Sequence, residues 1–478
     1  MTTNLPTPGS IRYQHRDETG WTVYTPRSPE SPHKKRGSLL RTCRPPERQV
    51  NIVAGPCLLG KIMNICLLGY RSNPFSGGQG VYLFYLSRAL VEAGHRVDVI
   101  SGPPYPELDP RVTLIQLPSL DLYAEGEDVR RFRFRYLRSL TDAFEYFSTI
   151  SGGFPEPYTF GRRVQQYFQS NPNTYDVIHD NQCLAWGILG LQRMGLPVVT
   201  TIHHPITRDL DIALAAADTF GLRLLIKRWH SFLRMQKQVV RQLTHKVTVS
   251  HAARADIESA FGLSGQSLHV IHNGIDLDRF KPASQDSGAD NSLQPPTIMT
   301  TASADSPLKG LDTLLRAFAL VLQTEPLARL TLIGALKRDG DTRKLIDNLK
   351  IGHAIDEKGR VTDEEMVTLY QSATLAVVPS VYEGFGFPAG EAMACGVPLV
   401  STSGGALPEV VGDAGVTVPV QDPKAMAAAI TSLLKDLTRQ RALGQAGLER
   451  VTREFSWSRA AAQYLDLYQQ VIEQTPCR

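Results

Sequence analysis

Apolar residues along this chain come in two rhythms. Short strand-length stretches are one: the apolar run MNICLLGY (Met63–Tyr70), then RVDVIS (Arg96–Ser101), YDVIHD (Tyr175–Asp180), PVVTTIHH (Pro197–His204) and HKVTVS (His245–Ser250). Such runs suit strands buried on both faces, as in a parallel sheet. The other rhythm has helical spacing. Val81 to Ala93 repeats apolar residues in that way, and Gly94 stands where a helix stop belongs. With the loop RSNPFSGGQG between them, the first two runs and this helix form a strand–glycine loop–helix–strand unit. A helical block is expected from about Asp128 to Phe168. A long helix is expected from Leu222 to Leu243, with Leu222, Ile226, Trp229, Leu233, Val240 and Leu243 near one face.

The stretch KPASQDSGADNSLQPP (Lys281–Pro296) breaks the pattern with linker composition. The strand–helix alternation then restarts. TIMTTAS, ARLTLIG, LAVVPS and PLVST read as strands, and Gly310–Leu322, GRVTDEEMVTLYQSA and Pro423–Leu434 carry helices. The pattern predicts an α/β chain of two doubly wound halves with a boundary near residue 281. A length of 478 residues agrees, being too long for one core.

Charge changes the picture only at the head. Residues 1–62 hold ten Lys/Arg against four Asp/Glu in a net +4 chain, so the remainder is near neutral. That excludes a general attraction for nucleic acid. The head is rich in Pro, Arg, Ser and Thr without apolar period, and residues 1–61 read as a disordered basic extension. Met63, where the first strand begins, is an alternative natural start. Six scattered cysteines without C-x-x-C spacing read as free thiols. No apolar run approaches about 18 residues, and no secretory leader pattern opens the chain. A cytoplasmic protein is expected, or one peripheral on the inner membrane face.

Candidate chemistry gathers at EGFGFPAGE (Glu383–Glu391), which follows a strand. Pro388 suits the first turn of a helix. A loop leading into a helix N-terminus offers free N–H groups to an anion, and glycines let backbone approach it closely. Glu391 could equally compensate the helix dipole, with Glu383 a solvated loop acid.

The spacing and the E-G-F-G-x-P core resemble the E-x7-E signature of retaining GT-B glycosyltransferases of the family-4 type. Other stretches agree in order. Ser76–Ile100 is similar to the family's Gly-Gly loop and first helix. Thr201–His204 resembles its Thr-x-His segment, and VIHNGIDLDRFKP (Val270–Pro282) its hinge. LKGLDTLLRAF resembles its Lys-Gly donor motif, and Gly404–Gly415 the segment after the second acid. The likeness covers residue 63 to about 475. It implies a GT-B fold of two Rossmann-like domains facing a cleft. These are an acceptor-side domain over 62–280, a donor-side domain over 281–454, and a helix over 455–478 packing back on the first.

It further implies that Glu391 binds the ribose of a nucleotide-sugar and Glu383 binds hydroxyls of the transferred sugar. Backbone N–H groups of Phe385, Gly386 and Phe387, with Lys309, would hold the diphosphate. His203 would contact donor sugar and phosphate, and Gly77 and Gly78 would let the first loop approach donor and acceptor. The reaction implied is retaining transfer of a hexose from a UDP- or GDP-sugar to a glycan, lipid-linked or small-molecule hydroxyl, with no metal and no cofactor. The chain departs from the family at Ala304, where an arginine is usual, leaving Lys309, backbone and Lys337 or Arg338 for the phosphates. That departure keeps open a sugar-nucleotide- or glycan-binding protein without transfer, beside an epimerase or hydrolase. Two D-x-D strings, Asp209–Asp211 and Asp276–Asp278, read as chance occurrences rather than metal sites. Finally, Arg130–Arg138 and Arg223–Arg241 mix cations with aromatics. Inward apolar packing under solvated charges is the expected reading, and a surface for anionic lipid headgroups the alternative.

Overall fold

The computed structural model describes residues 14–16, 22–24, 61–73, 78–124, 129, 132–172, 174–215, 217–263, 268–283, 295–301, 307–337 and 340–475. The first half runs β1 (Gln14–Arg16), β2 (Thr22–Tyr24), β3 (Asn64–Gly69), α1 (Gly78–Glu92), β4 (Arg96–Ser101) and β5 (Thr113–Gln116). It continues with α2 (Leu140–Ile150), α3 (Glu156–Ser170), β6 (Val177–Asn181), α4 (Trp186–Arg193) and β7 (Val198–Ile202). Then come α5 (Thr207–Ala215), α6 (Phe220–Trp229), α7 (Leu233–Val240), β8 (His245–Thr248), α8 (His251–Phe261) and β9 (Leu268–Val270). Strands β3 to β9 are parallel, in the order β5-β4-β3-β6-β7-β8-β9. Every residue of β6 and β7 is buried, the polar His179, Asp180 and Asn181 at the end of β6 included. Two three-residue strands of the basic head, β1 and β2, extend the sheet antiparallel from β5. Residues 1–13, 17–21 and 25–60 of that head lie outside the described residues.

The second half holds β10 (Thr297–Thr301), α9 (Leu311–Thr324), β11 (Arg329–Ile333), α10 (Asp341–Leu349) and β12 (Ile355–Lys358). Next are α11 (Asp363–Ser372), β13 (Leu375–Val378), α12 (Phe387–Ala394), β14 (Leu399–Thr402), α13 (Leu407–Val411) and β15 (Val416–Val418). Helices α14 (Pro423–Leu434), α15 (Leu437–Glu454) and α16 (Trp457–Gln474) end the chain. The six-stranded parallel sheet has the order β12-β11-β10-β13-β14-β15. The two sheets therefore share one doubly wound plan, reversing between β3 and β6 in the first and between β10 and β13 in the second.

Helix α16 returns to the first domain. Its Trp457, Tyr464, Leu467, Tyr468 and Val471 are buried in one cluster with Leu67, Val99 and Val199 of the first sheet and Leu83 and Leu90 of α1. Each such side chain contributes on the order of 1.5–3 kcal/mol by leaving water.

Two expectations need correction. The helix expected over Leu222–Leu243 is two helices, α6 and α7, joined by a 3-10 turn at His230–Phe232. His230 Nδ1 bonds the Ile226 carbonyl at 2.8 Å where the helix tightens. Of the residues expected near one face, Leu222 and Trp229 are exposed, while Leu233, Val240 and Leu243 are buried. The block over Asp128–Phe168 is a 3-10 turn (Phe134–Leu137), α2 and α3, interrupted where Gly152, Gly153 and Pro155 follow one another.

Candidate active site

Open doubly wound sheets leave a crevice beyond the carboxyl ends of their strands at the reversal point. In the second sheet that point lies between β10 and β13. The loop leaving β13 carries Glu383, and the loop leaving β10 leads to Lys309. The two meet: Lys309 Nζ stands 2.7 Å from Glu383 Oε1, and the Ser380 hydroxyl donates to the same oxygen at 2.7 Å. The glutamate side chain is 12% exposed and the lysine 30%, so water screens the pair only in part.

Glu391 lies one turn into α12 and is half-buried. Burial pushes its carboxyl up to about 7, while a hydrogen bond from Tyr370 opposes the rise and Asp363 adds to it. The Tyr370 hydroxyl donates to Glu391 Oε2 at 3.3 Å. Gly386 caps α12 with φ 101°. The Phe385 ring is buried against Phe387 and Phe455, at centroid distances of 5.4 and 5.7 Å. The aromatic rings of this loop therefore serve packing, and its backbone is the part left to meet a ligand. The segment from Gly404 props the loop from behind, with the Ala406 N–H donating to Glu383 O at 2.9 Å.

The first sheet supplies the opposite wall. Just beyond β7, the His203 N–H donates to Gln182 Oε1 at 2.6 Å, and Gln182 Nε2 donates to His204 O at 3.0 Å. The His203 ring pairs through Nε2 with Asn181 Oδ1 at 2.6 Å and meets Tyr82 edge-on at 4.7 Å. An amide oxygen can only accept, so Nε2 carries the proton and Nδ1 is an acceptor. Burial, with His204 beside it, holds His203 down to about 3, so the ring is neutral at pH 7.

The walls touch. A Cβ on Gly384 would fall 2.8 Å from His203 O, and the Ser250 hydroxyl donates to Gly384 O at 2.7 Å. A Cβ on Gly78 would stand 4.0 Å from the Phe387 ring. His203, Gly78, Lys309, Glu383 and the start of α12, far apart in sequence, thus share one crevice. Gly77, Ala304 and Arg338 lie outside the described residues, and Lys337 is in the loop after β11. The D-x-D strings have local partners. Asp209 pairs with His204 at 3.2 Å, and Asp276 accepts from the N–H groups of Asp278 and Arg279 at 3.2 and 3.1 Å.

Several contributors escaped the sequence reading. Asn181 ends β6, and Gln182 and Ser380 sit just past strand ends, positions that could have flagged them. Glu409 is another: from the second half it accepts from the N–H groups of His251 and Ala252 and pairs with His272 Nε2 at 2.6 Å. The ligand-type atoms of His251, His272 and Glu409 lie within 4.8 Å of one another, a spacing that could hold a metal ion. The carboxylate there already serves as a helix cap and a hydrogen-bond partner of His272. Cys66, Cys183 and Cys395 are buried free thiols.

Residues 76–279 match the model of Glycosyltransferase Family 4, and residues 286–450 that of Glycosyl transferases group 1. An MMP alpha-(1->4)-mannosyltransferase of Mycolicibacterium hassiacum is 43% identical over 414 residues, covering 86% of this chain and 98% of that protein. This chain belongs to the GT-B glycosyltransferases of the family-4 type. The glycosyltransferase is also 27% identical to a D-inositol 3-phosphate glycosyltransferase of Nocardiopsis dassonvillei, over 82% of this chain and 89% of the relative. Among solved structures, the glycosyltransferase resembles a sucrose-phosphate synthase from Thermosynechococcus elongatus with a TM-score of 0.65. That match has 26% identity and covers 86% of this chain and 99% of the other. Anabaena HepE, solved with UDP and glucose, shares the fold at a TM-score of 0.62 and 18% identity, over 85% of this chain and 99% of that one. No helix among its described residues is long and apolar enough to cross a membrane.

Proposed function

We propose that this glycosyltransferase moves a mannosyl residue from a nucleotide-diphospho-mannose, UDP- or GDP-linked, to a sugar hydroxyl, with retention and without metal. The observation carrying this reading is the 43% identity, over 98% of its length, to an α-(1→4)-mannosyltransferase. An α-linked product from an α-configured donor is retention.

In this reading Glu391 accepts the ribose hydroxyls and Glu383 those of the sugar, since a carboxylate is an effective acceptor for paired hydroxyls. Lys309 and the N–H groups of Phe385, Gly386 and Phe387 hold the diphosphate as charge develops on it. The bond from the anomeric carbon to the phosphate oxygen breaks on the face where the acceptor oxygen bonds. The acceptor's proton passes to the leaving phosphate. A neutral His203 contacts sugar and phosphate without a competing charge. A glycosidase-type role for the two glutamates does not suit Glu391, which lies on the helix flanking the phosphates.

The test is incubation with UDP-, GDP- and ADP-sugars and an α-(1→4)-mannoside acceptor, with the product's anomeric configuration read by NMR. An α-linked mannoside from a mannose donor supports the reading. A β-linked product, or free sugar and nucleotide alone, overturns it. Nucleotide binding without turnover on any acceptor would assign a binding protein, the alternative that Ala304 keeps in view.

A further inference from the structure

Helix α2 buries one aromatic, Tyr146, beside Thr141, Glu145 and Ser148, and turns Leu140, Phe144, Phe147 and Ile150 to solvent. Those four follow the spacing of one helix face, so the stripe that ordinarily seeks a core is the outer one. Buried Glu145 is neutralised from within by Arg163 at 2.7 Å, which also takes Asp142 at 2.6 Å. Helix α6 continues the surface. It has no buried residue, and Phe220, Leu224 and Leu225 are exposed on it. The two helices are fastened together. Arg228 donates to Ser148 O at 3.3 Å and Ser151 Oγ at 2.8 Å, and Leu225 lies against Gly152.

Of the sixteen exposed large hydrophobics among the described residues, twelve fall in the two stretches 132–150 and 220–229. Phe134 is 88% exposed, Leu140 83% and Phe220 83%. Soluble monomers rarely gather so much apolar surface in one place without a partner. Around it stand Arg135, Arg138, Arg223 and Lys227, all exposed, while the acids of 132–150 are the two that Arg163 holds.

We propose that this face of the first domain docks on an anionic lipid surface. Aromatic and aliphatic side chains would enter the headgroup boundary, and the cations would meet lipid phosphates. Charge decides between occupants: a second copy would bring cations against cations, whereas an anionic bilayer complements the whole patch. The patch borders the crevice. Trp229 meets Tyr123 at 5.6 Å, the Arg71 guanidinium lies 5.9 Å over Tyr123, and Arg71 lies two residues beyond the end of β3. Docking would hold the acceptor side of the site along the lipid. This inference stands whether or not the donor is mannosyl.

The experiment is co-sedimentation of the full chain with phosphatidylcholine vesicles and with vesicles containing 30% phosphatidylglycerol, a composition chosen as an anionic probe. Binding to the anionic vesicles only, lost in about 0.5 M salt, is expected. Arg138→Glu/Arg223→Glu should lower the partition at least tenfold. Phe134→Ser/Phe147→Ser/Phe220→Ser should do so without changing turnover on a soluble acceptor. Absence of binding by the parent chain, binding indifferent to both variants, or a dimer in sedimentation velocity that the serine variant dissociates would each overturn the proposal.

Discussion

A methyl group on Gly405 would fall 2.2 Å from the carbonyl oxygen of Glu383, and φ there is 61°. No side chain fits that approach, and the left-handed conformation adds its own cost. Gly405→Ala is expected to lower stability by about 2–4 kcal/mol and to cut turnover by displacing Glu383. Thermal melts and steady-state kinetics read the two effects, and unchanged kinetics with a lowered Tm would detach the prop from the site. Glu391 gives a pH signature. A carboxyl whose folded pKa exceeds its unfolded one costs the native state stability as pH rises between the two values. For Glu391 the window runs from the ordinary 4.5 to about 7. Glu391→Gln should therefore be more stable than the parent at pH 8, by roughly 1–3 kcal/mol, and equal to it below pH 4.5. Urea titrations at the two pH values measure this. In the parent, nucleotide affinity should weaken as pH falls below about 7, because a protonated acid accepts fewer hydroxyl bonds. A flat binding profile would count against Glu391 as the ribose acceptor.

Among elements, α16 joins the first domain by more than apolar contact. Tyr464 OH accepts from Tyr82 OH at 2.7 Å and bonds Thr201 at 3.0 Å. Tyr468 OH bonds His179 at 2.5 Å, and burial holds that histidine down to about 3. Leu467→Ala should cost about 2–4 kcal/mol and Tyr464→Phe about 1, since Tyr82 and Thr201 keep each other at 3.2 Å. A larger loss in Tyr464→Phe would point to a cooperative network. The same scale shows what the sequence made legible. RVDVIS is β4 residue for residue, and Pro423–Leu434 is α14, because a strand buried on both faces and a helix opened by Asp422 and Pro423 carry their own signals. Strands β5, β9, β12 and β15 passed unnoticed, being three or four residues long with half-exposed positions. EGFGFPAGE stood out because glycine, proline and acid mark a loop running into a helix. Gln182 did not, since its partner His203 is distant in sequence, nor did Ser380, a lone hydroxyl in the loop with no motif of its own. The outward apolar stripe of α2 went unread, because periodicity gives the angle of such a stripe and not what lies beneath it.

For the molecule as a whole, the halves are tied at points away from the linker. Glu409 caps α8 of the first half and pairs with His272, and Ser250 holds Gly384 O. The hydrogen bonds from His272 and from the backbone hold the Glu409 carboxyl below its usual range despite burial. A depressed carboxylate contributes stability above its ordinary pKa of 4.5 and loses it as pH falls further. Glu409→Ala, or acid below that value, should loosen the closure. Small-angle scattering should show a larger radius of gyration, and a greater share of donor should be hydrolysed rather than transferred as water enters. An unchanged radius would mean that the other contacts suffice.

The pair of Lys309 and Glu383 bears on how a turnover ends. Two groups assigned to opposite ends of a sugar-diphosphate satisfy each other while the crevice is empty, so an incoming donor must separate them and give each a substitute. An intact nucleotide-sugar supplies both, a phosphate for the lysine and hydroxyls for the acid. The spent nucleotide supplies only the first and leaves a half-buried carboxylate without its cation. Re-pairing then competes with the product for the lysine. Product inhibition should accordingly be weak beside donor affinity, and Glu383→Gln, which cannot reclaim the lysine, should make the nucleotide linger.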